Sequence, residues 1–406
     1  CGGHVMLKKI PALIILGLFA MSHAMAEVKI NGFASVVTGI DFEEDEQVEY
    51  NDRTVDNLQE SKVALQWAAD LGDGMRFVGQ TMARGDAADG FQLNYDWAYF
   101  DFNIGDSSKL KFGRLRIPFY KYSDYLDVGY AYHWITPPES MYSLTFSNMD
   151  GIGFQQNFQA LGMDHALNLA VGTYQGILIL GEEEVQSSLE NLIAINWTAT
   201  IGEHEFTAAY AQADTYVPAT ATAGLADVAT AGGDDGDKVL INGDYGFFAG
   251  AGYKGSFGDF TVYSEYSIVQ IEDSIFADTS GGYIGVSYLM DEYTYHITYG
   301  TRKAEEKEYA AGTDAIDLGA AAVQKAGGTP TAADLSGSTL NSTSRFLGNG
   351  DSTTITIGVR KDIGMSTALK VDLDLYTEDR VQDDQVTSTS EEKKATVLKF
   401  AVETMF

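Results

Sequence analysis

Short runs in which apolar and polar residues alternate recur along most of the chain. They include 293–300 and 354–360, whereas helical periodicity is nearly absent. Alternation with a period of two gives a β-strand one apolar and one polar face. In the clearest run, 368–376, the apolar residues are Leu369, Val371, Leu373 and Leu375, and the charged residues are Lys370, Asp372 and Asp374. The pattern predicts an all-β chain.

The connections between these runs alternate between tight turns and longer loops. The tight turns, most of which contain Gly, are 71–75, 104–109, 160–165, 200–205, 256–260, 289–293 and 362–366. The longer loops are 42–58, 85–91, 117–147, 174–187, 214–243, 272–279, 303–350 and 378–392. This predicts a transmembrane antiparallel β-barrel of about 16 strands, with short periplasmic turns and long outer loops. A secreted β-sandwich or β-helix is the alternative, but a sandwich this long would normally divide into domains.

In a barrel, one face of each strand lies against the membrane and the other lines the interior. We therefore expect the apolar set of 368–376 to face lipid or a neighbouring subunit, and its charged set to face the lumen. A slip of one residue in register would reverse both sets together.

The N-terminal residues have the pattern of a secretory signal peptide. Residues 1–5 precede Met6, and we interpret them as an artefact. Residues 6–26 contain two lysines, an apolar run over 10–21 and small residues at Ala24 and Ala26. The pattern predicts cleavage after Ala26, export through the periplasm and a barrel over 27–406. A membrane anchor would need a longer apolar run, of about 20 residues.

Composition and motifs exclude several functions. The chain has 58 acidic against 26 basic residues, which argues against nucleic acid as a partner. Its only cysteine, Cys1, excludes a disulfide scaffold. The scattered histidines and the absence of nucleophile or zinc-protease motifs predict no enzyme and no cofactor. Acidic runs at 41–46 and 234–237 lack the spacing of a calcium-binding loop, so we predict no metal site.

Both ends of the predicted barrel resemble a known family. The last strand alternates up to a terminal Phe406, and the first, 27–39, carries Val-Lys-Ile-Asn-Gly. With the signal peptide and the turn-and-loop rhythm, the chain resembles the sixteen-stranded, trimeric general porins of Gram-negative outer membranes. The resemblance implies a homotrimer in contact with outer-membrane lipid and lipopolysaccharide. It also implies a water-filled channel for passive diffusion of small hydrophilic solutes and ions.

The third loop, 117–147, is the candidate functional segment. It is rich in tyrosine and interrupted by Pro118, Pro137 and Pro138, so we expect it to fold inward and pack against the barrel wall. It lacks the Pro-Glu-Phe-Gly-Gly-like motif of many porins. The resemblance implies that acids on this loop face basic residues on the wall across a pore constriction. The candidates are Asp124, Asp127 and Glu139 on the loop, and Arg76, Arg84, Arg114 and Arg116 on the wall.

Three functional readings follow. An excess of lumen acids over bases predicts a general porin with weak cation preference. A substrate-selective porin for sugars or organic anions is an alternative, since aromatic rings along a pore can stack on sugars. These rings are Tyr120, Tyr122, Tyr125, Tyr130, Tyr132 and Trp134. A loop-based adhesin, in which the barrel is only a base, is the remaining alternative.

Overall fold

Sixteen strands form a single closed antiparallel barrel in a computed structural model of the chain. The structure describes residues 27–43, 50, 53–85, 90–142, 144, 146–180, 183–217, 241–272, 274, 277–305, 350–384 and 387–406. The strands are β1 (Val28–Asp41), β2 (Lys62–Gly72), β3 (Met75–Arg84), β4 (Leu93–Ile104), β5 (Ser108–Arg116), β6 (Asn148–Ala160), β7 (Met163–Leu180), β8 (Glu183–Ile201), β9 (His204–Val217), β10 (Ile241–Phe257), β11 (Phe260–Ile271), β12 (Asp278–Met290), β13 (Tyr293–Glu305), β14 (Ser352–Asp362), β15 (Thr367–Asp384) and β16 (Thr387–Met405). The predicted fold class and strand number are confirmed.

The two ends of the chain close the barrel. β1 pairs with β2 on one side and with β16 on the other, where Phe33 lies opposite Met405. Gly32 and Phe406 exchange both backbone hydrogen bonds, at 2.7 and 2.9 Å. Closure gives each described strand a neighbour on both sides. A barrel in lipid requires this because the hydrocarbon offers no partner for backbone groups. In the described part of the chain, no helix is long and apolar enough to span a membrane.

The seven predicted tight turns all join consecutive strands, but two predicted loops are wrong. The segments 174–187 and 378–392 lie largely within the hairpins β7–β8 and β15–β16. They were predicted as loops, yet backbone pairing continues through most of their described residues. The predicted signal peptide and most of 214–243 and 303–350 lie outside the described residues.

The two faces of β15 follow the predicted alternation. Val371 and Leu375 are exposed on the outside, at 37% and 39%. Lys370 and Asp372 are buried inside the barrel, where both contact the loop 117–147. The assignment of apolar residues to the outer face and charged residues to the lumen is therefore confirmed for this strand.

Cysteine labelling should reproduce these faces in a membrane. We expect Asp374→Cys to react with a water-soluble maleimide, because Asp374 lines a lumen cavity. Val371→Cys should stay unmodified in liposomes, because lipid covers the outer face. Lys370→Cys is a poor probe, since Lys370 is fully buried. Modification of Val371→Cys with Asp374→Cys silent would show that the faces are reversed.

Candidate functional site

The loop 117–147, called the inner loop below, folds into the lumen and reaches the opposite wall. The indole N–H of Trp134 donates to Thr298 Oγ1 on β13 at 2.9 Å. The backbone N–H of Ile135 donates to Asp372 Oδ2 on β15 at 2.8 Å. These strands lie across the barrel from β5, where the loop begins. The predicted inward fold is therefore confirmed.

Aromatic packing fixes the first half of the inner loop against the wall. Phe119 packs on Phe248 of β10, with ring centroids 5.2 Å apart, and Trp134 packs on Tyr263 of β11 at 4.9 Å. Most of the rings of the predicted sugar track are buried, at 7% exposure or less: Tyr120, Tyr122, Tyr132 and Trp134. Buried rings offer no free face to a passing sugar. Their role is to hold the loop in place, so the structure does not support this sugar track.

Two wall cations hold the tip of the inner loop by its backbone carbonyls. Lys370 of β15 donates to the carbonyl oxygens of Gly129, at 2.7 Å, and Trp134, and it pairs with Glu403 of β16. Arg360 of β14 donates to two further loop carbonyls. A buried ammonium that satisfies two carbonyls and one carboxylate is fully used as a donor. The alternation on β15 predicted that Lys370 faces the lumen, but it did not predict these contacts. No sequence pattern indicates that a lysine will bind the backbone carbonyls of a distant loop.

Asp127 of the inner loop lies between two arginines of the wall. Its carboxylate is 3.0 Å from Arg116 Nη1 and 3.3 Å from Arg84 Nη2. Arg84 also contacts Asp96 of β4 at 3.3 Å. Burial alone would raise the pKa of Asp127, but the charges of Arg116 and Arg84 outweigh it and hold that pKa below its usual range. The predicted opposition of loop acid and wall arginines is present at this position.

Arg114 was predicted to lie at the constriction, and that prediction is wrong. It forms an ion pair with Asp150 of β6 at 2.8 Å, in which both side chains are exposed. On β5 its neighbour Leu115 is the residue that packs on the inner loop, whereas Phe112, on the face of Arg114, is exposed. Arg114 is therefore on the outer face. Arg116 faces inward because β5 ends there and alternation no longer fixes its direction.

Arg76 faces the lumen as predicted, but it does not lie at the constriction. It pairs with Asp101 of β4, beside the tight turn that ends β2. Eight residues along β3 separate Arg76 from Arg84, a distance of about 26 Å in an extended strand. Arg76 therefore belongs to the wall near the tight-turn rim. Gln80, between them, donates to Asp96 at 3.1 Å, and the buried apolar residues Val78 and Met82 share the same lumen face of β3.

Two cavities among the described residues border the inner loop. The first, called the charged cavity, has a volume of about 320 Å³ and lies between the loop and β13–β16. Its ionisable lining is Glu60, Lys62, Asp127, Glu139, Asp372, Asp374, Tyr142, Tyr376 and Lys399. The predicted Glu139 is there, and Lys399 pairs with Glu60 at 3.1 Å and with Asp374 at 2.8 Å.

The second cavity, called the aromatic cavity, has a volume of about 160 Å³ and lies between the inner loop and β4–β7. The predicted Asp124 is exposed in this space and not beside Asp127. The three loop acids are thus divided among an arginine pair and two cavities. Only Asp127 directly opposes the predicted wall arginines.

A partly buried histidine connects the inner loop to the wall behind it. The ring of His133 lies 3.9 Å from that of Trp134 and 4.8 Å from that of His296, which itself contacts Asp372 at 3.1 Å. Among the described residues, His133 Nε2 has no hydrogen-bond partner. Burial, reinforced by nearby cationic groups, holds the pKa of His133 well below its ordinary value. Those groups are His296, Lys370, Lys254 and Arg360.

Acidification should weaken the docked loop. Because the pKa of His133 is depressed in the fold, the unfolded chain takes up this proton first. Stability is then unaffected above about pH 6.5 and falls below it by up to about 1.4 kcal/mol per pH unit. We expect His133→Phe to flatten this dependence, measured as the free energy of unfolding in urea between about pH 5 and pH 7.5. His204→Gln, a change distant from the loop tip, should retain it. Equal slopes in the wild type and His133→Phe would exclude His133 as the cause.

Solved structures of other proteins share this barrel architecture. No protein-family model and no curated protein matches the sequence. Among solved structures, the outer membrane channel DcaP of Acinetobacter baumannii superposes with a TM-score of 0.57 at 11% identity, covering 95% of this chain and 99% of DcaP. Salmonella typhi OmpF in complex with daunomycin gives 0.53 at 11%, covering 94% and 98% of the two chains. The anion-selective porin from Comamonas acidovorans gives 0.53 at 12%, covering 94% and 100%.

Identities this low establish the fold alone. The chain has the closed, sixteen-stranded antiparallel barrel of the general porins. That fold agrees with the resemblance drawn from the two ends of the sequence.

Proposed function

We propose that this protein is an outer-membrane porin, a water-filled channel through which small hydrophilic solutes and ions diffuse passively. The observation that carries the proposal is the inner loop docked across the lumen, with Asp127 between Arg84 and Arg116 beside a charged cavity. Fixed charges on opposite sides of a narrow passage select solutes by their electric field, and the width of the passage selects them by size. Neither effect makes or breaks a covalent bond. The proposal therefore assigns a channel, not an enzyme.

The outer surface of the barrel supports a location in lipid. Large apolar side chains are exposed at 48–58% on the outward face: Ile284 on β12, Ile297 on β13 and Ile357 on β14. An outward apolar band around a polar interior is the layout of an outer-membrane barrel. We further propose that the protein is exported through the periplasm, forms a homotrimer and contacts outer-membrane lipid and lipopolysaccharide. These three proposals rest on the sequence resemblance to trimeric porins.

The charged cavity supports a weak preference for cations. Its carboxylates outnumber its lysines: they are Glu60, Asp127, Glu139, Asp372 and Asp374, against Lys62 and Lys399. Arg84 and Arg116 temper this excess from beside Asp127. Because salt screens such fields within about 10 Å at 0.1 M, the preference should be largest at low ionic strength.

Liposome swelling tests the proposal and its alternatives. Proteoliposomes in isotonic sugars of increasing size should swell, at rates that fall steadily with solute size. An adhesin built on a closed barrel would give no swelling. A sugar-selective porin would admit one sugar far faster than others of its size. Either outcome, from protein shown to be folded by heat-modifiable migration in gels, would overturn the general porin.

A further inference from the structure

The aromatic cavity has the lining of a solute-binding site. Two rings, Trp97 and Tyr99, line it from the lumen face of β4, and Arg116, which pairs with Asp127, also borders it. Opposite them the inner loop contributes Pro118 and Asp124. The cavity lies nearer the tight-turn rim than Asp127 does, since Lys111, also in its lining, is the fourth residue of β5 after the turn. Flat apolar walls in a wet lumen favour a solute with a flat apolar body.

Two opposite charges face this cavity without pairing. Lys111 enters from β5 and Asp124 from the inner loop. Neither forms an ion pair with any described residue, so their charged atoms are more than 4.0 Å apart. Elsewhere in the lumen the described acids and bases are largely paired, as at Lys399 with Glu60 and Asp374. A separated cation and anion on one cavity can each be satisfied by a solute that carries both charges.

The cavity also contains an unused hydrogen-bond donor. The indole N–H of Trp97 is buried, and it has no acceptor among the described residues. An indole nitrogen can only donate, so its natural partner is an oxygen. The amine of Lys111 lies 5.6 Å from the ring centroid of Tyr99, which leaves its N–H groups available to an acceptor. Both donors therefore suit a carboxylate on the ring side of the cavity.

From this arrangement we infer that the aromatic cavity binds a small zwitterion with a flat apolar body, such as an aromatic amino acid. The solute carboxylate meets Lys111 and the Trp97 N–H, its ammonium meets Asp124, and its ring packs against Trp97 and Tyr99. The inference rests on the proposed function, because it names a solute class for the channel. An anion without an ammonium would leave Asp124 unpaired, and a cation without a carboxylate would leave Lys111 unpaired. A zwitterion is the one charge class that satisfies both.

Binding can be measured both with and without conduction. Saturation-transfer NMR of the folded barrel in detergent should detect L-phenylalanine more strongly than phenylacetate, 2-phenylethylamine or glycine. In a planar bilayer, L-phenylalanine added on the tight-turn side should interrupt single-channel current. Lys111→Gln and Asp124→Asn should each weaken binding about tenfold, the effect of losing one charge-assisted contact. Lys109→Gln is the matched control, because Lys109 is on the same strand but outside the cavity lining, and its variant should bind as the wild type does.

The outcomes separate the two proposals. Equal binding of phenylacetate and phenylalanine, with Asp124→Asn without effect, would overturn the zwitterion in favour of an anion site. Current without any binding of phenylalanine would overturn the inference and leave the porin intact. Binding that depends on Lys111 and Asp124, in a folded barrel that never conducts, would support the site and overturn the channel. Binding equal in all three variants would place phenylalanine elsewhere and overturn the inference.

Discussion

Replacing Lys370 by methionine is expected to lower the free energy of unfolding by about 3–5 kcal/mol, the cost of breaking a buried ion pair. Lys370 and Glu403 have side-chain exposures of 0% and 1%, so the variant leaves a carboxylate buried without its cation. It also leaves the carbonyls of Gly129 and Trp134 without their shared donor. The inner loop should then detach from β15 at its tip.

The double variant Lys370→Met with Glu403→Met separates these two effects. Removing both charges eliminates the unpaired carboxylate, so most of the lost stability should return. The deficit that remains measures the two carbonyl contacts that hold the loop. The measurement is urea unfolding of the refolded barrel in detergent, with loop release followed by protease cleavage within 117–147. Wild-type stability and an uncleaved loop in Lys370→Met would show that the cation does not anchor the loop.

Replacing Arg84 and Arg116 together by alanine is expected to raise the cation preference of the channel several-fold. Two positive charges beside Asp127 disappear, while the carboxylates of the charged cavity remain. At about 7 Å in water, one unit charge changes the energy of a passing ion by about 0.6 kcal/mol, or nearly threefold in local concentration. Asp127→Asn should shift selectivity the opposite way, because it leaves the arginines uncompensated.

Arg114→Ala is the matched control for this pair. It removes the same charge from the same strand as Arg116, but from the outer face, where Arg114 pairs with Asp150. The reversal potential across a salt gradient, recorded at low ionic strength, should change in the double variant and not in Arg114→Ala. A change of equal size in both would show that the field at Asp127 does not set selectivity.

The fold was predictable because a barrel repeats one simple rule. Alternation with a period of two fixed the inward and outward faces of β15, and tight turns, six of them containing Gly, located seven of the strand connections. The rule failed at two of the longer connections. The segments 174–187 and 378–392 were predicted as loops, but their described residues continue as strands, because backbone pairing between long hairpin arms does not depend on local side-chain composition.

The functional site was predictable only in outline. The aromatic, proline-interrupted sequence of 117–147 indicated a packed inner loop, and Asp127 does meet Arg84 and Arg116. Arg114 and Arg116 share one parity but lie on opposite faces, because Arg116 is the last residue of β5, where the alternation no longer fixes the direction of a side chain. The anchors Lys370 and Arg360 were missed because their partners are backbone carbonyls more than two hundred residues away. Every residue has a backbone carbonyl, so the sequence does not indicate which of them accepts a hydrogen bond.

Single-channel recording of the purified, folded protein in a planar lipid bilayer tests most directly whether the lumen conducts around the inner loop. A water-filled channel narrowed by that loop should give discrete, ohmic current steps in potassium chloride. The steps should be larger in Lys370→Met, where the loop is released from β15. A heat-modifiable, folded barrel that inserts without any current steps would contradict the channel.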